Sequence, residues 1–100
     1  MAVKIFIKRH VKKGKTQEAV ELLKDVRSQA LKQPGYISGE TLINHYDPCN
    51  IAVVSTWQTI DDWIRWEESD ERSVKENQLE GLLERPTDFE IYDLGPASGS

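Results

Sequence analysis

A single cysteine, Cys49, is the whole thiol content of the chain, so no internal disulfide can staple the fold, and a reducing cytoplasm is the expected setting. Two histidines, His10 and His45, with one thiol do not supply the ligand spacing of a zinc site, and no metal is expected. No stretch approaches the roughly 18 apolar residues of a membrane span. The opening Val3-Lys4-Ile5-Phe6-Ile7 alternates and does not sustain the apolar length of a signal peptide, so neither a membrane nor export is expected. Positive charge is in deficit: 13 Lys and Arg against 17 Asp and Glu give a net charge of −4, the wrong sign for a general nucleic-acid binder. A glycine-rich phosphate loop, a Ser-His-Asp ordering around a strained turn and a redox cysteine pair are also missing.

What is present fits one domain. One hundred residues, 38% hydrophobic and 30% charged, support one core and do not divide into two. We assign it residues 1–95 and read the Pro, Ala, Ser and Gly of 96–100 as a disordered tail. Val3 to His10, apolar at 3, 5, 6 and 7, predicts a strand. Thr16 is the candidate N-cap of an amphipathic helix in which Ala19, Val20, Leu22, Leu23, Val26, Ala30 and Leu31 recur at three- and four-residue intervals. Gln33-Pro34-Gly35 ends it. Extended stretches follow at Tyr36 to Tyr46 and Ile51 to Trp57, joined by the turn formers Asp47-Pro48-Cys49-Asn50, and these predict an antiparallel pair. Thr59-Ile60-Asp61-Asp62 reads as a capped helix start. Ser69 caps either its continuation or a new short helix bearing Val74, Leu79, Leu82 and Leu83, and Phe89 to Leu94 alternates as a last strand.

The order strand, helix, strand, strand, helix, strand is the split βαβ arrangement of ferredoxin-like α+β folds, with both helices on one face of a four-stranded antiparallel sheet. Alternation puts Phe6, Leu42, Ala52, Val54, Tyr92 and Leu94 on the parity opposite Ile5, Ile7, Val53 and Ile91. Both faces therefore carry large apolar groups, while the chain has helix enough for one. A second copy is expected to cover the other face by sheet-on-sheet packing, making a homodimer.

Pro34-Gly35-Tyr36, the run Val53-Val54-Ser55-Thr56-Trp57 leading into Thr59-Ile60-Asp61-Asp62-Trp63-Ile64-Arg65-Trp66, and the closing Phe89-Glu90-Ile91-Tyr92-Asp93-Leu94 resemble the antibiotic biosynthesis monooxygenase family of the dimeric α+β barrel superfamily. The resemblance covers nearly the whole chain. It implies a dimer whose two sheets form a barrel, a ligand pocket in each subunit between sheet and helices, and oxygenation of a small aromatic or quinol-like compound without any cofactor. In that chemistry the deprotonated substrate itself donates an electron to dioxygen, and the protein supplies a dry pocket, orientation and a proton acceptor. A related branch degrades haem with an Asn, a Trp and a His. The resemblance sets Trp66 at the Trp, but Ile7 at the Asn and Glu76 at the His, and loss of the imidazole speaks against haem degradation. A non-catalytic ligand-binding or structural homodimer is the alternative.

The candidate pocket residues are Trp66, Trp63, Ile7 and Tyr36; indole offers a planar stacking face and one donor. Trp57 reads as a wedge at the strand-to-helix corner. The candidate proton acceptors are His10 and His45, which titrate near neutrality, and Glu76, if desolvated. Tyr46, Tyr92, Glu40 and Cys49 offer weaker chemistry of the same kinds. Lys8, Arg9, Lys12, Lys13 and Lys15 read as a solvated basic corner balanced by Glu67, Glu68, Asp70 and Glu71.

Overall fold

The structure, a computed structural model, describes residues 1–95; the tail assigned to 96–100 lies outside them. The elements in chain order are β1 (Val3–His10), α1 (Thr16–Ala30), β2 (Tyr36–Ile43), β3 (Asn50–Trp57), α2 (Ile60–Glu67), α3 (Asp70–Glu80) and β4 (Asp88–Asp93). They form one antiparallel sheet in the order β2-β3-β1-β4, the ferredoxin-like arrangement expected from the alternation of strands and helices. Among the described residues no helix is long and apolar enough to cross a membrane.

The helix-facing parity of β1 is Val3, Ile5, Ile7 and Arg9, all buried, and it pairs with Trp57, Ser55, Val53 and Ile51 of β3. Two apolar clusters grow from this seam. One joins Val3, Ile5 and Ile7 to Ala30, Trp57, Trp63 and Trp66. The other joins Val11, Ala19, Leu23 and Ile51 to Leu79 and Leu82. Together they fasten all three helices to one side of the sheet, because each helix presents a single apolar stripe.

Local chemistry sets the boundaries; two differ from the sequence reading, and a third decides between the two alternatives it left open. Lys15, not Thr16, is the N-cap of α1; the Thr16 hydroxyl instead donates to the Pro48 carbonyl at 3.0 Å, tying the helix start to the β2–β3 loop. Strand β2 stops at Ile43 and does not reach Tyr46, because the Asn44 side chain accepts from the backbone N–H groups of Tyr46 and Asp47 (2.9 Å each) and closes a turn. The segment after α2 is a separate helix: Ser69, extended at φ −70° and ψ 148°, accepts from the Arg72 N–H and starts α3 in a new direction.

Among the described residues, no helix covers the other sheet face. Its centre is Phe6, Ala52 and Val54, with Leu42 and Tyr92 to either side, and Phe6 meets Tyr92 edge-on at 5.5 Å. It is less apolar than alternation predicts, because Lys4, Lys8, Glu40, Asp88 and Glu90 share that parity and Lys8 pairs with Glu90 at 2.6 Å. Edge strand β4 is half-exposed on both sides, with Phe89 and Ile91 toward the helical layer and Tyr92 away from it.

Candidate functional site

Between the sheet and the helices lies a cavity of about 50 Å³. Each of its walls has a local cause. From β1 come Ile7 and Arg9, on the inward parity. From β2 comes Tyr36, brought to the inner face by a register irregularity between Tyr36 and Ser38; its hydroxyl lies over Gly39, where a Cβ would sit 2.5 Å from it. Tyr36 meets Trp57 edge-on at 5.3 Å, and Trp57 meets Trp63 at 6.0 Å. Helix α2 supplies Trp63 and Trp66, three residues apart and both buried. Its start is fixed by a reciprocal cap in which the Thr59 hydroxyl accepts from the Asp62 N–H (3.1 Å) and donates to the Asp62 carboxylate (2.9 Å).

The break at Ser69 brings α3 over the same cavity with Arg72 and Glu76. Arg9 Nη2 donates to Glu76 Oε1 at 2.6 Å, and Arg72 Nη2 stands 3.3 Å from the same oxygen. Arg72 also lies over the Trp63 ring, 5.3 Å from its centroid. The two arginines are 4% and 6% exposed. Burial depresses the pKa of the Arg72 guanidinium below its ordinary value; the Glu76 carboxylate acts in the opposite direction and Arg9 adds to the depression.

Ile7, Tyr36, Trp63, Trp66 and Glu76 thus line one cavity. The two histidines do not join them. His10 lies at the far end of β1, its Nδ1 paired with the Asn50 side-chain oxygen and its Nε2 3.0 Å from Glu84, beside an open groove of about 400 Å³ on the other side of the sheet. His45 is exposed in the β2–β3 loop, against Tyr46. Cys49 is a partly buried free thiol packed beside the second apolar cluster.

The basic corner needs correcting. Arg9 is not solvated: period-two alternation turns it inward with Ile5 and Ile7, and that parity is the signal the composition of the run obscured. Nor do its neighbours pair with the 67–71 acids. Lys8 meets Glu90, and Lys15 meets Glu18 at 3.8 Å. Arg72 carried no sequence signal, since it becomes a cavity residue only through the α2–α3 bend.

The same architecture recurs in solved structures. A conserved protein from Methanosarcina mazei is 24% identical with a TM-score of 0.87, over 92% of this chain and 91% of that one. SnoaB, a cofactor-independent oxygenase from Streptomyces nogalater, is 13% identical with a TM-score of 0.86, over 99% and 98%. Rv0793 from Mycobacterium tuberculosis is 14% identical with a TM-score of 0.86, over 98% and 100%. At these identities the likeness speaks to fold. No curated protein matches the sequence. The profile of the antibiotic biosynthesis monooxygenase family matches residues 2–74, a span holding β1 through the first turn of α3 and most of the cavity's walls. The chain therefore belongs to the antibiotic biosynthesis monooxygenase family.

Proposed function

We propose that this protein is a cofactor-independent monooxygenase acting on a small aromatic, quinol-like compound in the tryptophan-walled cavity. The observation that carries the reading is the wall itself: Trp57, Trp63, Trp66 and Tyr36 line one space between the sheet and the helices, together with the buried Arg9 and Arg72. A deprotonated, electron-rich ring held there can reduce dioxygen itself. One oxygen atom stays in the product, the other leaves as water, and both reducing electrons come from the substrate. The chain's own part is to orient the ring, exclude water and favour the anion.

The cavity is small. Its 50 Å³ is about a third of the ~150 Å³ that accommodates benzene, so substrate entry requires Trp66 or Tyr36 to swing, or α2 and α3 to lift from the sheet. Oxygen uptake measured with a panel of hydroquinones, against anaerobic controls, tests the activity. Protein-dependent uptake with at least one is expected, and none with any would overturn it. The same small volume favours the second reading, a non-catalytic binding or structural homodimer.

The dimer belongs to the proposal. Phe6, Ala52, Val54, Leu42 and Tyr92 form an apolar centre on a face no helix covers, and a second copy related by a two-fold axis would bury it. Sedimentation at micromolar concentration is expected to give a dimer; a strict monomer rejects it. A cytoplasmic setting completes the reading, supported by the unpaired Cys49.

A further inference from the structure

The aromatic walls of the cavity are not alike. Trp57, Trp63 and Trp66 are only 1–3% exposed, and the Trp57 indole N–H donates to the Ser55 hydroxyl at 3.1 Å. Turning any of these rings would displace close-packed neighbours. Tyr36 lines the same cavity but is only half-buried, so its ring stands in the wall between cavity and solvent. Its backbone is also the least restrained. Tyr36 opens β2, an edge strand, between Gly35 at φ +85° and the irregularity that leaves Ile37 outside the β2–β3 register and half-exposed.

What holds the ring is a seat of matching shape. On one side is Trp57, met edge-on at 5.3 Å. On another is the bare backbone of Gly39, where a Cβ would lie 2.5 Å from the Tyr36 hydroxyl oxygen and 3.4 Å from Cζ. Only glycine at position 39 leaves room for the hydroxyl as it stands. The seat fits a phenol, and the protein's own phenol occupies it. The space beside the ring, 50 Å³, falls short of the ~150 Å³ that takes benzene. Departure of the Tyr36 side chain, itself a benzene ring with a hydroxyl, would return the missing volume.

We propose that Tyr36 is a displaceable plug: a ligand with a single phenol-type ring takes its place against Trp57 and over Gly39, while the Tyr36 side chain swings out to solvent at the edge of β2. This rests on the reading of the cavity as an aromatic site, and it names the wall that moves and limits the ligand to one ring. Fused rings would require the buried tryptophans to move as well. Because ligand and plug compete for one seat, the apparent affinity is reduced by the fraction of molecules in which the plug is out.

The test uses phenol and 1-naphthol, titrated into protein with labelled tyrosine and followed by NMR. The Tyr36 signals are those missing from Tyr36→Phe. At saturating phenol they are expected to leave the position set by the neighbouring Trp57 ring for that of a solvent-exposed tyrosine. Gly39→Ala, whose methyl group takes the hydroxyl's place, should move them the same way with no phenol present. Tyr36→Ala should bind phenol at least tenfold tighter than wild type, and 1-naphthol should bind wild type no tighter than phenol, although its second ring offers more apolar surface.

Phenol binding with the Tyr36 signals unmoved would overturn the plug and leave the aromatic cavity standing. Binding by Tyr36→Ala alone would make Tyr36 a fixed wall and overturn its displacement. Signals unmoved in Gly39→Ala would overturn the seat, and tighter binding of 1-naphthol would overturn the one-ring limit. Phenol binding by neither wild type nor Tyr36→Ala would remove the aromatic reading and this inference with it. The signals of the wild-type protein decide even where a variant fails to fold.

Discussion

Arg9 on β1 and Glu76 on α3 stand 67 residues apart in sequence and are joined by a 2.6 Å ion pair between a fully buried guanidinium and a mostly buried carboxylate. That contact ties the central strand to the last helix across the cavity, and Arg72 shares the same oxygen.

Removing the shared carboxylate should therefore be costly. Glu76→Gln leaves two buried guanidiniums without a counter-charge and is expected to destabilise the fold by about 3 kcal/mol or more. For a domain of this size each kcal/mol lowers Tm by about 4–8 °C. Thermal unfolding of the variant checks this. A loss below about 1 kcal/mol would mean that water reaches the arginines.

Substitution of Trp66 distinguishes a ligand wall from a structural one. Trp66→Ala should cost about 3–5 kcal/mol, as large aromatic truncations in cores do, and should weaken binding of aromatic ligands while sedimentation still shows the dimer. Dissociation of the variant would instead assign Trp66 to the support of the assembly.

Gly35 governs where α2 begins. It has φ +85°, and a Cβ there would lie 2.2 Å from the Asp62 carboxyl group, which accepts a hydrogen bond from the Thr59 hydroxyl that caps α2. Gly35→Ala is expected to destabilise by more than about 1 kcal/mol, through backbone strain and displacement of the cap. Gly14 shares the positive φ (+81°), but a Cβ there would meet open space, so Gly14→Ala should cost less. Urea denaturation of the two variants side by side tests the ranking.

The Lys8–Glu90 pair on the uncovered face gives a pH signature. The hydrogen bond from Lys8, helped by one from Tyr92, holds the Glu90 carboxyl below its ordinary value of 4.5. The bond to Glu90 raises Lys8 above its ordinary 10.5. A depressed carboxylate contributes stability that is present above its unfolded pKa and lost as pH falls through the folded one. A raised ammonium contributes stability present below its unfolded pKa and lost as pH rises through the folded one. Glu90→Gln should thus lower Tm slightly near neutrality, with the difference vanishing well below pH 4.5 and shrinking in high salt because both groups are exposed. A difference that persists at low pH would trace the effect to packing.

The order of elements and both faces of β1 and β3 follow from the sequence, because period two and period 3.6 are local and the apolar residues obey them. Glu76, Trp66, Trp63, Ile7 and Tyr36 could be named from a family likeness, yet nothing local brings them together. The inward turn of Arg9 was legible in the alternation of β1 but hidden by four lysines nearby. The place of Arg72 was not legible at all, since it depends on the angle at which Ser69 redirects the chain.

The amino-acid sequence alone thus determined which segments are helix or strand and which side of each is apolar, since those preferences act over a few residues. Tertiary structure alone decided that two arginines from opposite ends of the domain share one carboxylate beside three indoles. Electrostatic and packing interactions depend on distance in space, and for two residues 67 positions apart that distance is encoded only through the complete fold.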